Sequence, residues 1–155
     1  MNFLEIPFPD DFHLHLRDED IMKAVLPFTE MRFRRALVMP NLKPSIKKTE
    51  EALEYRNRIL ESCHTPFYPL MTIYLTDSTP IHEVKKARES GIIFAIKLYP
   101  AGATTNAHDG VTDIKKLYPL FEEMEKENMI LSIHAEDPDP SVDIFDRENV
   151  YIDKH

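Results

Sequence analysis

The sequence is poor in several features that would fix a function class quickly. It has one cysteine, Cys63, so no internal disulfide can form. That residue sits late in a helical pattern and reads as an inert thiol. Glycine is scarce, at 3 of 155 residues, and no glycine-rich phosphate loop follows any candidate strand, which removes a dinucleotide-binding reading. Basic patches are missing too. The formal charge is -8, and the one local run, Arg32-Phe33-Arg34-Arg35, is short enough to be a solvated turn, so nucleic acid is excluded as a partner. No apolar stretch approaches the roughly 20 residues that span a bilayer, and no signal-peptide pattern opens the chain. No membrane partner is expected, and the cytoplasm is the simplest compartment. There is no internal repeat or low-complexity segment.

What is present is a regular alternation of short apolar runs and amphipathic stretches. Strands are predicted at Phe12–Leu16, Arg35–Met39, Leu70–Leu75, Ile92–Leu98 and Met129–His134. Helices are predicted at Asp20–Met31, Lys48–Cys63, Pro80–Ser90 and Asp113–Asn128. The second helix gathers Ala52, Tyr55, Ile59 and Leu60 on one face, and the fourth gathers Leu117, Leu120, Phe121 and Met124. Pro80 fits a first helical turn after Ser78 and Thr79 as caps, with Gly91 at the end. This pattern means an α/β fold with a parallel sheet, either open and doubly wound or a barrel. The segment from Tyr99 to Thr112 is a long loop of the kind that usually carries function or is disordered.

The informative polar residues stand at strand ends. In "DDFHLHLRDED", His13, His15 and Arg17 alternate with apolar residues, so they share one face of a strand. Two imidazoles on a buried sheet face suit a divalent metal. Lys97, near the end of "IIFAIKLYP", shares a face with Ile93 and Ala95. A bare ammonium there is costly, so it must be paired, neutral or chemically altered. A neutral amine can take up carbon dioxide as a carbamate, whose two oxygens can bridge two metals. The plainer alternative is that Lys97 snorkels to solvent. His134 ends "MILSIHAE", where a hydrogen-bonded structural histidine is the competing reading, and Asn41 ends "RALVMPN". Four of five strands thus carry a polar residue at or near the C-terminal end, where α/β barrels build active sites. The constellation points to a metallohydrolase, in which metals acidify a water and polarise a carbonyl.

The segments "HLHLRD", "VMPN", "KLYPAGATTN" and "HAE" resemble the amidohydrolase superfamily and, within it, dihydroorotase of the shorter bacterial type. The resemblance runs in order from about Asp10 to Arg147, and "KLYPAGATTN" is its most discriminating piece. It implies a (β/α)8 TIM-type barrel with two zinc ions bridged by a carboxylated Lys97. His13 and His15 would bind the more buried metal and His134 the other. Arg17 and Asn41 would hold the substrate's carboxylate, and Thr104 and Thr105 would belong to a loop that closes over substrate. The implied reaction is the reversible cyclisation of N-carbamoyl-L-aspartate to L-dihydroorotate in pyrimidine biosynthesis, with a small molecule as the partner.

The family pattern also needs a histidine on a sixth strand and an aspartate on an eighth, the latter as general acid/base. Neither has a match here, since His155 follows no sixth strand, and Asp137 and Asp139 lie in a Pro-punctuated loop. About 250 residues usually close such a barrel, so 155 residues amount to about five of its eight strands. The expectation is therefore an N-terminal portion of a longer enzyme, residues 1–155 without an internal boundary, inactive alone. A homodimer, or dependence on the C-terminal half, is the expected assembly. Two other classes compete: a catalytically dead scaffold subunit, or a hydantoinase-like hydrolase whose substrates lack the carboxylate. Ala135, where the short-type enzymes more often carry glycine, departs from the pattern slightly. His64, His82 and His108 read as surface residues.

Overall fold

A computed structural model describes residues 3–155. Five strands, β1 (Asp10–Leu14), β2 (Arg35–Val38), β3 (Tyr68–Leu75), β4 (Ile93–Leu98) and β5 (Ile130–Ile133), pair in sequence order. Every pairing is parallel, and the sheet curls into a half-barrel, the partial TIM-type architecture expected. Parallel neighbours need crossovers, supplied by α1 (Glu19–Glu30), α2 (Thr49–Ser62), α3 (Ile81–Glu89) and α4 (Tyr118–Lys126). A final helix, α5 (Arg147–Lys154), packs Tyr151 inward. None of the described helices is long and apolar enough to cross a membrane.

One face of the sheet is dry. Ala36 and Val38, Met71, Ile73 and Leu75, and Ile96 and Leu98 pack against Leu26, Tyr55, Ile59, Val84 and Leu120 of the helices. At about 25 cal/mol per Å² of apolar surface buried, this layer supplies the main driving force. The opposite, concave face carries the chemistry.

Register irregularities decide which side chains reach that face. Asp11 pairs with Ala36 but Leu14 with Val38, so β1 gains a residue at Phe12–His13. Leu14 joins the helix-side layer, and His13 and His15, either side of it, face the other way. The strand ends at Leu14, two residues earlier than the sequence pattern suggests, leaving His15 and Arg17 on the exit segment. A second bulge separates Met71↔Ile93 from Thr72↔Ala95, with Phe94 as the extra residue. Ile93 consequently packs with the helices, while Ala95 and Lys97 turn to the concave face. This corrects the expectation that all three share a side.

Two helix starts also differ from their predicted form. Pro80 precedes the helix as its N-cap residue instead of occupying its first turn, and Thr79 Oγ1 accepts from the Thr76 amide, not from α3. The fourth helix opens as a 3-10 turn, Ile114–Leu117, capped by Asp113, and becomes α-helical at Tyr118. Pro119, which has no N–H to donate, falls at that junction, where the lost bond costs nothing. Gly91 does end α3, at φ 67.

Candidate functional site

The exits of β1, β2, β4 and β5 open on the same side of the sheet. His13 Nε2 and His15 Nε2 stand 3.1 Å apart, with ring centroids at 5.0 Å. Burial is the main influence lowering the pKa of His13, followed by repulsion from Lys97 and His134, against an upward pull from Asp11. Burial also leads for His15, followed by the charges of His13 and Arg17, against an upward pull from the nearby Asn41 side chain. Both shifts favour the neutral imidazole, although His13 and His15 are exposed at the strand exit and not on a buried face. His13 thus lies within electrostatic reach of Lys97 and His134, and His15 within reach of His13, Arg17, Asn41 and Lys97.

Lys97 is fully buried, and its Nζ has no hydrogen-bond partner. It lies 5.2 Å from the centre of the Tyr99 ring, and burial pushes its pKa down to about 8. The snorkelling alternative is thereby removed. His134 follows β5 directly, anchored by its amide donating to the Leu98 carbonyl at 2.9 Å. Its Nε2 is buried without a hydrogen bond, although a Glu136 carboxylate oxygen lies 3.3 Å away. That carboxylate approaches off the line a hydrogen bond needs, so the nitrogen is unsatisfied.

Asn41 is buried and committed to the long loop. Its Nδ2 donates to the Thr105 carbonyl at 3.1 Å, and its own carbonyl accepts from Asn106 Nδ2 at 3.0 Å. Its Oδ1 has no partner. Thr104 is half-buried and Thr105 exposed. The segment carrying them is compact, closed by Val111 N donating to Tyr99 O and Ala101 N to Val111 O. A Cβ on Gly110 would meet the Tyr99 carbonyl oxygen at 2.3 Å, so only glycine fits that closure. Asp137 and Asp139 are used elsewhere: Asp137 pairs with Lys154 at 2.5 Å, and Asp139 accepts from the Ser141 hydroxyl.

Three residues escaped the sequence reading. Tyr99 lies two positions beyond Lys97, hence on its face; its hydroxyl is buried without a partner, and its ring stacks on Tyr74 at 5.1 Å. The period of two could have found it. Asn106, at φ 58, latches the loop to Asn41. Tyr55 looked like ordinary core, but its hydroxyl donates to the Arg17 carbonyl.

These residues suit a divalent metal in part. Two nitrogens at about 2.05 Å from one tetrahedral ion stand roughly 3.3 Å apart, close to the observed His13–His15 separation. The unpartnered Lys97 and His134 nitrogens are further candidate contacts. Among the described residues, no three His, Cys, Asp or Glu side chains form a complete metal-binding group.

No family model matches the chain. Whole-chain comparisons do. The chain is 54% identical over 153 residues to the mitochondrial dihydroorotase of Arabidopsis thaliana, covering 97% of this chain and 41% of that protein. It is 53% identical to the dihydroorotase of Nitrosococcus oceani, covering 98% and 45%. Its fold superimposes on the crystal structure of dihydroorotase from Campylobacter jejuni with a TM-score of 0.85 and 38% identity, over 94% of this chain and 42% of that one. In sequence and in fold, the chain belongs to the dihydroorotase family over the portion of the family's length that it spans, which is somewhat less than half.

Proposed function

We propose that this chain supplies the metal-binding and carboxylate-binding side of a dihydroorotase, the cyclic amide hydrolase that interconverts N-carbamoyl-L-aspartate and L-dihydroorotate in pyrimidine synthesis. The observation that carries the reading is the paired His13 and His15 nitrogens beside a buried, unpartnered Lys97 amine.

His13 and His15 would hold one zinc ion, His134 a second, and a carboxylated Lys97 would bridge them. Bound there, two zinc ions would supply an acidified water and a polarised ring amide. The chain's own groups prepare for this. With a pKa of about 8, roughly half of the Lys97 amines are neutral at pH 8, against about 0.3% at the ordinary 10.5. The neutral nitrogen attacks carbon dioxide, forms the N–C bond and releases one proton, leaving a carbamate anion. Arg17 offers the substrate carboxylate a planar fork of donors. Asn41 keeps one amide hydrogen for the same task after bonding Thr105, and Thr104 and Thr105 border the site from the loop.

Asp137 and Asp139 are engaged elsewhere, and we assign no residue of this chain the general acid/base role. The 155-residue chain assayed alone therefore turns over little or no dihydroorotate. The free Cys63 thiol suits a reducing compartment, and we retain the cytoplasm for this chain.

The test is carbon-13 NMR of the chain with zinc and labelled bicarbonate. A carbamate signal that disappears in Lys97→Ala supports the reading. A parent spectrum without that signal, or one unchanged in the variant, refutes the bridge.

A further inference from the structure

Arg17 and Glu19 both adopt left-handed backbone, at φ 61 and 51, and neither is glycine. Such residues persist only where their surroundings over-determine them. Between them, Asp18 caps α1 by accepting from the Glu19 amide at 2.9 Å. The surroundings come from a different crossover. The Tyr55 hydroxyl of α2 donates to the Arg17 carbonyl at 2.5 Å, from a side chain 1% exposed. One turn on, Arg58 grips Asp18 through two parallel bonds, Nε to Oδ1 at 3.1 Å and Nη2 to Oδ2 at 2.7 Å. Its guanidinium carbon also lies 5.4 Å from the Tyr55 ring centre, tying the two clamps together.

The Arg17 side chain shows what the clamp is for. Arg17 is half-buried, its charge acts on His15 and Tyr99, and its side chain donates to no described residue. A cation kept unpaired at the site must be aimed by its backbone, because no side-chain contact aims it. The left-handed backbone at φ 61 sets the direction of Arg17 on the segment between β1 and α1.

We propose that Tyr55 and Arg58 are positioning residues for Arg17, setting its guanidinium to receive a ligand carboxylate. This rests on the reading of Arg17 as the carboxylate-binding group. Neither residue touches the ligand, and both act from a helix that contributes nothing else to the site. The clamp is also selective. It should alter the binding of a planar heterocycle bearing a carboxylate and leave the same ring without one unaffected.

The full chain, labelled on arginine Nε, is titrated with orotate and, separately, with uracil, following the Arg17 Nε–Hε resonance and the dissociation constants. The parent binds orotate with a shift of that resonance. Tyr55→Phe and Arg58→Gln each weaken orotate at least fivefold without changing uracil binding, and Arg58→Lys recovers part of the loss. In an Arg17→Ala background, Tyr55→Phe adds less than twofold, since the group it positions is gone. A purely structural Tyr55 would weaken both ligands alike, in either background. Thermal melting confirms folding, and the half-exposed Arg58 provides the second variant should Tyr55→Phe unfold. Orotate binding that survives both variants overturns the positioning role alone. A parent that binds no orotate, or an Arg17→Ala variant that binds it undiminished, overturns the carboxylate reading and the clamp with it.

Discussion

Replacing Glu30 by glutamine tests how the first helix is fastened to the third strand. Glu30 ends α1 with its side chain 2% exposed. Its Oε2 accepts from the amides of His64 and Thr65, at 2.8 and 3.1 Å, on the turn leading into β3. Burial favours the neutral acid, but those two amides and the His64 ring outweigh it, so the carboxyl stays below its usual range. Glutamine keeps the shape and loses the charge that strengthens both bonds. Charge-assisted bonds contribute about 1.5–3 kcal/mol each, of which neutral acceptors retain roughly half, so the variant should lose about 2 kcal/mol. For a chain of this size that is about 4–8 °C in Tm. A group whose folded pKa is depressed stabilises above its unfolded pKa, near 4.5, and stops doing so as pH falls through the folded value. The parent's advantage should therefore be present above about pH 4.5 and shrink as pH falls below it. Cys63 reports the same charge independently. Burial first, then Glu30, pushes its thiol up to about 11. Removing the carboxylate should bring it down, so alkylation by iodoacetamide at pH 9 accelerates. The tests are calorimetric melts across that pH range and alkylation rates on folded protein. A Tm difference that persists unchanged to pH 3, with an unaltered Cys63 rate, refutes the assignment.

Two further outcomes follow from the site. Lys97→Met removes a buried amine without a partner, so in the absence of metal it should stabilise the chain by about 1–3 kcal/mol while weakening zinc uptake; a thermal melt and a zinc titration check this, and a lower melting point would contradict the burial argument. Gly110→Ala forces a Cβ against the Tyr99 carbonyl and should cost about 1–3 kcal/mol and admit protease to the loop, whereas Gly102→Ala, at φ 79 with open space, costs about 1 kcal/mol; equal melts for the two would refute the closure.

The α/β alternation was legible because hydrophobic periodicity reports which face is buried, and β2, β3, β4 and β5 fell close to their predicted places. The strand-end residues were legible for the same reason, since alternation puts His13 and His15 on one side of Leu14. What escaped depends on contacts distant in sequence. The bulges at Phe12–His13 and Phe94 arise from pairing with β2 and β3, and they shorten β1 and divide Ile93 from Lys97. Pro119 could have announced the 3-10 start of the fourth helix, since a proline without an N–H marks a first turn. Tyr55 could not have been found this way, because its apolar ring satisfies the helix pattern while its hydroxyl serves a carbonyl 38 residues earlier.

The central claim is that His13, His15, Lys97 and His134 make a metal-binding cluster, and anomalous diffraction at the zinc edge tests it most directly. Crystals grown with zinc should show a peak against His13 Nε2 and His15 Nε2, and a second beside His134 Nε2 and Lys97. Zinc found only on surface carboxylates, with His13 and His15 still within 3.1 Å of each other and bare, would contradict the account.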